Sequence, residues 1–344
     1  MEGLLELPWI FLLIAAFAGG AFGAAIGALP AFIFTGLMVI AGEAGGLQGV
    51  TGEVAFGPVF GPHISFAGGA AAAAYAAKKG YMTSGFDFHE SKNIGYALGP
   101  KTDVLVVGGL FGIVGLVITQ FSANYSLPWD PIAVAVVLSA LVHRLAFGYR
   151  IVGEVSGSGI LDMSPFETGA KKKSDTGTVS DVVKEATDRP AVEPWLPHQY
   201  KWGEVAFLGL IVGVLGAFIA LETGSPFLAF GISAASLLFL NLGVEKIPVT
   251  HHMTLPASTI ALAVTATEGG ALSGLGDTSA IVIGGAFGIL CALFGELFQR
   301  VFYAHGDTHW DPPAAAITFG TFVIALFYFA GIVGTGVWVP GTTP

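Results

Sequence analysis

The chain has 344 residues, of which 14 are Lys or Arg and 24 are Asp or Glu, so only 11% are charged, whereas 53% are hydrophobic. A soluble domain carries about 25% charged residues, so this composition excludes an ordinary water-soluble globule. Without a basic patch to neutralise phosphates, nucleic-acid binding is excluded as well. The single cysteine, Cys291, excludes a disulfide scaffold.

Ten apolar segments are predicted to be membrane-spanning helices. The first follows an N-terminus that lacks a basic residue, which is atypical of a cleavable signal peptide. The segments are 9–29, 31–42, 64–78, 103–121 and 131–149, then 204–222, 226–241, 253–267, 279–302 and 313–335. The longer apolar runs reach the roughly 20 residues that cross a bilayer as a helix. The sequence therefore predicts an all-α integral membrane protein.

Three sequence matches in the same order indicate an internal duplication. They are His63-Ile-Ser-Phe with His252-Met-Thr-Leu, Thr102–Gly112 with Thr278–Gly288, and Trp129-Asp-Pro with Trp310-Asp-Pro, at separations of 189, 176 and 181 residues. Chance is a poor explanation for three ordered matches at nearly constant separation. We therefore predict a first membrane repeat at 1–149 and a second at 204–344, joined by a linker loop at 150–203.

An odd number of spans in each repeat inverts the second repeat relative to the first. Lys and Arg are enriched in cytoplasmic loops, and all 14 basic residues fall on the inner side when both termini lie outside. We therefore predict a multi-pass protein of the cell membrane with loops 79–102 and 150–203 inside. The linker, which mixes both charge signs with Ser, Thr, Pro and Gly, is predicted to be flexible, with a short helix at 178–187.

Five of the six tryptophans lie at the ends of predicted spans. They are Trp9, Trp129, Trp202, Trp310 and Trp338. Because the amphipathic indole prefers the membrane interface, these positions support the predicted span boundaries.

Predicted spans 3 and 8, at 64–78 and 253–267, are short and carry too few bulky apolar side chains to make a good lipid-facing surface. About 15 residues make a helix of about 22 Å, which is less than the roughly 30 Å of hydrocarbon in a bilayer. Irregular Gly/Pro segments precede both. Short, interrupted helices at matching places in inverted repeats indicate a transport site. We predict that these two helices cross at the centre and line the pathway.

Polar residues on these two helices are the candidate substrate contacts. They are His63, Ser65, His251, His252, Thr254 and Ser258. Imidazole titrates near pH 6.5, which suits His63 and His252 to contacting a solute or a proton. A structural alternative is that the histidines bond irregular backbone and that the hydroxyls act as local caps.

Four further residues are candidates for coupling or gating, namely Gln120, Asp130, Glu296 and Asp311. A carboxylate inside a span is costly and is a functional candidate for that reason. Arg300, four residues after Glu296, could neutralise it as a structural pair. Asp130 and Asp311 each precede a proline, as an N-cap residue does.

The sequence gives no reason to predict an enzyme. The HExxH, GxSxG, P-loop and paired CxxC motifs are missing, and no cofactor is predicted. His305, Asp307 and His309 are potential metal ligands, but repeat 1 has no histidine at the matching positions, so we predict no metal site.

These observations favour an ion-coupled secondary transporter of a small solute, with its site at the interface of the repeats. The alternatives are a passive channel for a small neutral or anionic solute and a structural membrane subunit that transports nothing. The expected partners are the lipid bilayer, a small-molecule or ion substrate and, as an open alternative, a second copy of the chain.

Overall fold

The computed structural model describes residues 7–47, 49–172, 189–267 and 269–342, which form helices and loops without a β-strand. The helices are α1 (Leu7–Ile26), α2 (Ala28–Ala44), α3 (Ala67–Lys78), α4 (Thr102–Asn124), α5 (Pro131–Ala146), α6 (Ser164–Glu167), α7 (Trp202–Thr223), α8 (Leu228–Asn241), α9 (His251–Thr265), α10 (Asp277–Phe298) and α11 (Pro312–Phe329). Wide π-helical turns lie at Val50–Ala55, Pro62–Phe66 and Gln299–Tyr303. The predicted helix at 178–187 lies outside the described residues.

Each of the ten predicted apolar segments overlaps one helix. Five helices are long and apolar enough to cross a membrane: α1, α4, α7, α10 with the turn that follows it, and α11. Their outer faces carry large apolar side chains such as Phe11, Phe207 and Val282, which are 69%, 65% and 65% exposed. Contiguous apolar surface of this kind indicates contact with lipid. The protein is therefore a helical, membrane-embedded protein.

The helices before and after the linker pack in matching patterns. Helix α1 lies along α4, and α7 lies along α10. Glycines allow these close approaches: a methyl group on Gly20 would overlap the backbone of Gly108, and one on Gly288 would overlap that of Gly209. The two halves are joined by α2 against α8 and by α5 against α11.

Helices α3 and α9 are the most buried, because their small side chains let neighbouring helices approach from all sides. Helix α3 packs against α1, α4 and α5, whereas α9 packs against α7, α10 and α11. The predicted packing of these two helices across each other is therefore wrong. Phe32, Phe66 and Phe230 fill the space between the halves and belong to one hydrophobic cluster with Leu255 of α9.

Helices α5 and α11 run antiparallel, and each starts at the two-residue signal Asp-Pro. The Asp130 carboxylate accepts hydrogen bonds from the amides of Ile132 and Ala133, and Asp311 accepts one from Ala314. Both aspartates therefore cap their helices.

Trp310 is only 5% exposed, so the predicted interface position is wrong for this residue. It is covered because the chain before α11 turns into the protein. There the Trp310 ring packs against Phe298, Phe302 and the guanidinium of Arg144.

The described parts of the linker pack on the helices, in contrast to the predicted flexible loop. Glu193 N donates to the carbonyl of Ala304, and the Gln199 amide forms two hydrogen bonds with the backbone of Val249. Met163 also joins a buried apolar cluster with Ala304. Polar groups of the linker thus find partners on the loops 79–101, 242–250 and 299–311. We call this end of the helix bundle the linker end.

Candidate functional site

A cavity of about 2260 Å³ lies between the two halves. This volume exceeds the roughly 300–1,000 Å³ of typical small-molecule pockets, so it has room for a solute together with water. Helices α2, α5, α8, α9 and α11 line it, as do loops from both ends of the bundle.

Residues separated by 181 or 189 positions, as in the sequence matches, line this one cavity. The pairs are Asp130 with Asp311, Ala133 with Ala314 and Val136 with Ile317, each 181 residues apart, and Pro62 with His251 and Phe66 with Leu255, each 189 residues apart. The spacing within α5 and within α11 is three residues, which keeps the lining side chains on one helical face. Both halves therefore contribute equivalent surfaces to the cavity.

Aromatic rings surround His251 on the cavity wall. The ring centroid of His251 lies 4.7 Å from that of Phe32 and 5.7 Å from that of Phe230. Phe66 lies 5.9 Å from Phe32. The Nδ1 atom of His251 has no hydrogen-bond partner within the described ranges. This part of the wall is therefore apolar, apart from one imidazole whose buried Nδ1 atom is unpartnered there.

His309 also lines the cavity and is held by a carboxylate. Its Nε2 atom lies 3.1 Å from Asp311 Oδ1, and the other oxygen of Asp311 accepts from the Ala314 amide at 2.8 Å. The ring packs on Phe66 and Tyr303, with centroid distances of 5.6 and 5.4 Å. No described residue bonds the buried Nδ1 atom.

Of the six predicted pathway residues, only His251 lines the cavity. His63, Ser65, His252, Thr254 and Ser258 are all buried among helices. The Ser258 hydroxyl donates to Gly216 O, and that of Thr254 donates to His251 O. The reason is a single step along each helix. On α9, His251 faces the cavity and His252 points about 100° away. Pro62 faces the cavity in the π-helical turn Pro62–Phe66, and His63 follows it with a different rotation per residue.

The four coupling candidates separate into two groups. Asp130 and Asp311 line the cavity, whereas Gln120 and Glu296 do not. Glu296 accepts from Arg300 Nε at 2.6 Å and from Gln299 at 3.0 Å. Arg300 also donates to the linker carbonyls of Leu161 and Tyr200. Glu296 therefore belongs to a structural ion pair that fastens the linker.

Five charged residues form a cluster at the linker end that the sequence did not reveal. They are Lys92, Lys172, Arg189, Glu193 and Asp307. Lys92 Nζ lies 2.7 Å from Glu193 Oε2, and their side chains are 0% and 3% exposed. The cluster joins the loop 79–101, the linker and the segment 299–311. Apart from Arg189 and Glu193, which are four residues apart, its members lie far apart in the sequence. The mixed charges of the linker were the one available signal.

Burial and neighbouring charges shift the pKa values of this cluster. Burial lowers the pKa of Lys92 to about 8, although Glu193 partly opposes the shift. Burial alone would raise the pKa of Asp307, but the charges of Arg189 and Lys172 outweigh it and hold that pKa below its usual range. Lys92 and Asp307 are thus both charged at neutral pH.

The irregular segment 304–311 is buried, and side chains from other segments form hydrogen bonds with its polar groups. Arg144 donates from Nε to the Thr308 hydroxyl at 2.8 Å and from a terminal nitrogen to the Thr308 carbonyl at 2.9 Å. Lys92 donates to Tyr303 O at 2.8 Å. Irregular backbone inside a membrane protein needs partners of this kind. In the described residues, no group of three or more His, Cys, Asp or Glu is arranged to hold a metal ion.

Comparisons with known proteins identify the family to which the chain belongs. No curated protein and no solved structure matches the chain. A family model matches residues 4–342, which is nearly the whole chain, and the protein therefore belongs to the family of unknown function DUF7973.

Proposed function

We propose that the protein is an ion-coupled secondary transporter that moves a small solute across the cell membrane through the cavity between its halves. The observation that carries this proposal is the lining of one cavity by matching residues, such as Ala133 and Ala314. Transporters built from inverted repeats hold their substrate at the interface of the repeats.

In this proposal ten helices cross the membrane, as two inverted five-helix repeats. Both termini are outside, and the linker end faces the cytoplasm. The meeting of loops 79–101 and 299–311 with the linker at one end supports this orientation, because Lys92, Arg144 and Arg189 are among the basic residues there.

The ion cluster at the linker end favours a transporter over a passive channel. Its ion pairs connect segments from both halves across the end of the cavity, where Lys92 and Arg189 form part of the lining. Alternating access requires contacts that close one end and can break in a second conformation. An open channel has no need of such contacts.

The test uses protein reconstituted in liposomes, a panel of small neutral, anionic and cationic solutes, and stopped-flow light scattering. We expect saturable uptake of at least one solute that depends on an imposed ion gradient. Ala133→Trp and Ala314→Trp should each block that uptake by filling the cavity. Ala146→Trp, at an exposed position of α5, is the matched control and should transport normally.

Linear, gradient-independent flux would identify a channel instead. Unchanged uptake in both cavity variants would contradict the proposed route. If folded wild-type protein moves no solute of the panel, the transport proposal fails.

A further inference from the structure

We propose that the coupling ion is the proton and that the His309–Asp311 pair carries it. This inference rests on the transport function proposed above. It concerns one residue pair of the cavity lining and assigns that pair a chemical role.

The pair has the geometry of a proton carrier. Asp311 accepts from Nε2 of His309, and the buried Nδ1 atom of the same ring, which lines the cavity, has no hydrogen-bond partner in the described residues. A carboxylate on one ring nitrogen fixes the tautomer and stabilises the imidazolium. A proton that passes from the cavity to Nδ1, which is buried in this conformation, changes the net charge of the pair from −1 to 0. Release of that proton restores the starting state.

The other three histidines of the cavity lining lack this arrangement. His251 has a free Nδ1 atom, but it sits among phenylalanines, and no carboxylate is bonded to its ring. A charge there would be uncompensated. His89 Nδ1 contacts the Ser91 hydroxyl, and His198 bonds Ile247 O. Among the described histidines that line the cavity, only His309 combines a carboxylate partner with a buried ring nitrogen that lacks a hydrogen-bond partner.

The surroundings of His309 contain charged and titratable groups from several segments. His143 from α5, Tyr303 from the turn after α10, and Asp311 interact with His309 itself. Arg144 from α5, Lys92 from the loop 79–101 and Glu193 from the linker lie next to Tyr303. Arg144 is engaged with Thr308 and with the Trp310 ring. Phe66, before α3, adds no charge. Asp311 is thus the carboxylate in direct contact with the imidazole.

The pair exists in one half only. The position that matches His309 in the first repeat, 181 residues earlier, is Pro128. Asp130, the counterpart of Asp311, therefore has no imidazole partner at the matching place. This asymmetry predicts one proton for each transport cycle at this site.

The experiment measures solute and proton movement together. Proteoliposomes containing trapped pyranine receive the same solute panel, and light scattering and internal pH are recorded at once. In the wild-type protein, the transported solute should change internal pH, and an imposed pH gradient should accelerate its uptake at least several-fold. His309→Gln and Asp311→Asn should abolish both effects. Asn also caps helices well, so Asp311→Asn removes the charge while keeping α11 capped.

His305→Gln is the matched control, because both ring nitrogens of His305 are hydrogen-bonded and the residue does not line the cavity. It should keep proton coupling. Circular dichroism and gel filtration establish that each variant is folded.

Each other outcome overturns a different statement. Wild-type uptake without a pH change would overturn proton coupling and leave the transport proposal standing. Coupling that survives in both His309→Gln and Asp311→Asn would overturn the assignment of the carrier. Absence of uptake of every solute by folded protein would overturn the transport function, and the proton inference would fall with it.

Discussion

The indole Nε1 of Trp310 donates a hydrogen bond to the backbone carbonyl of Val137, with the two atoms 3.0 Å apart. Val137 lies near the middle of α5, so α11 starts at the midpoint of its neighbour. The reverse contact joins Asp130 N to the Thr321 hydroxyl, near the middle of α11, at 2.9 Å. The two Trp-Asp-Pro motifs therefore lie inside the α5–α11 pair.

Trp310→Ala should strongly destabilise the protein. It removes a buried indole, its hydrogen bond and its contact with Arg144. The free energy of unfolding should fall by about 3–5 kcal/mol. Trp129→Ala is the matched control from the first repeat and should lose less, because Trp129 is only partly buried. Thermal unfolding in detergent compares the two. Equal losses would contradict the different burial of the two motifs.

Glu193→Gln should destabilise the linker end more than Lys92→Met does. The first change leaves Lys92 and Arg189 as neighbouring positive charges, whereas the second leaves Glu193 paired with Arg189 at 3.4 Å. Removing one partner of a buried ion pair costs about 3–5 kcal/mol. Thermal unfolding and limited proteolysis of the linker show which of the two variants is destabilised more. Glu154→Gln breaks the exposed pair with Arg150, and it should change neither the melting temperature nor the rate of linker proteolysis.

His89 makes the folded state sensitive to acid. Burial, together with the charges of Arg189 and Lys92, lowers the pKa of His89 to about 3, against about 6.5 in an unfolded chain. Between these values the unfolded chain binds a proton that the folded chain does not. Stability from this group is therefore complete above pH 6.5 and falls as the pH falls towards 3.

His89→Asn removes that titration. The side-chain oxygen of Asn keeps an acceptor for the hydrogen bond that the Ser91 amide donates to His89 Nδ1. The melting temperature of the variant should depend less steeply on pH in this window. Parallel curves for variant and wild type would contradict the assignment.

Gly115→Ala should destabilise the protein, because the added methyl group would overlap the carbonyl oxygen of His63. The methyl group would push α4 away from the turn before α3, which should lower the free energy of unfolding by about 1–3 kcal/mol. Gly203→Ala is the matched helical control, since no heavy atom lies within 4 Å of its added methyl group. Its melting temperature should stay constant or rise slightly. A tolerated Gly115→Ala would show that these helices can separate.

The proposed orientation predicts opposite labelling of two cysteine variants. Tyr125→Cys, in the exposed loop before α5, should react with an impermeant maleimide added to intact cells. Val155→Cys, in the linker, should react only after permeabilisation. Both native positions are exposed, at 68% and 46%, and the native Cys291 is fully buried. Labelling of both variants in intact cells would overturn the inverted topology.

The helices were predictable from sequence because apolar runs end at glycine, proline and charged residues. The predicted duplication rests on matches such as Trp129-Asp130 with Trp310-Asp311, and it stays a prediction. Burial of Trp310 was not predictable, because it depends on a loop that folds inward and on partners in α5.

The cavity lining was predictable only to within one residue. The recurring histidines marked the correct turns, but Pro62 and His251 face the cavity in place of His63 and His252. Helical direction at a π-helical turn cannot be read from spacing alone, since such a turn departs from the usual rotation of 100° per residue. The pairing of Lys92 with Glu193 depends on how the linker folds back, which local sequence does not encode.

Helices α5 and α11 each begin beside the middle of the other helix, and this arrangement restricts how the halves can move. A slide of one turn along the axis, about 5.4 Å, would separate Trp310 from Val137 and Asp130 from Thr321 together. The two contacts lie about two helical turns apart along α5, so a small tilt of the helices displaces them less than such a slide does. The pair therefore resists piston motion more than rocking.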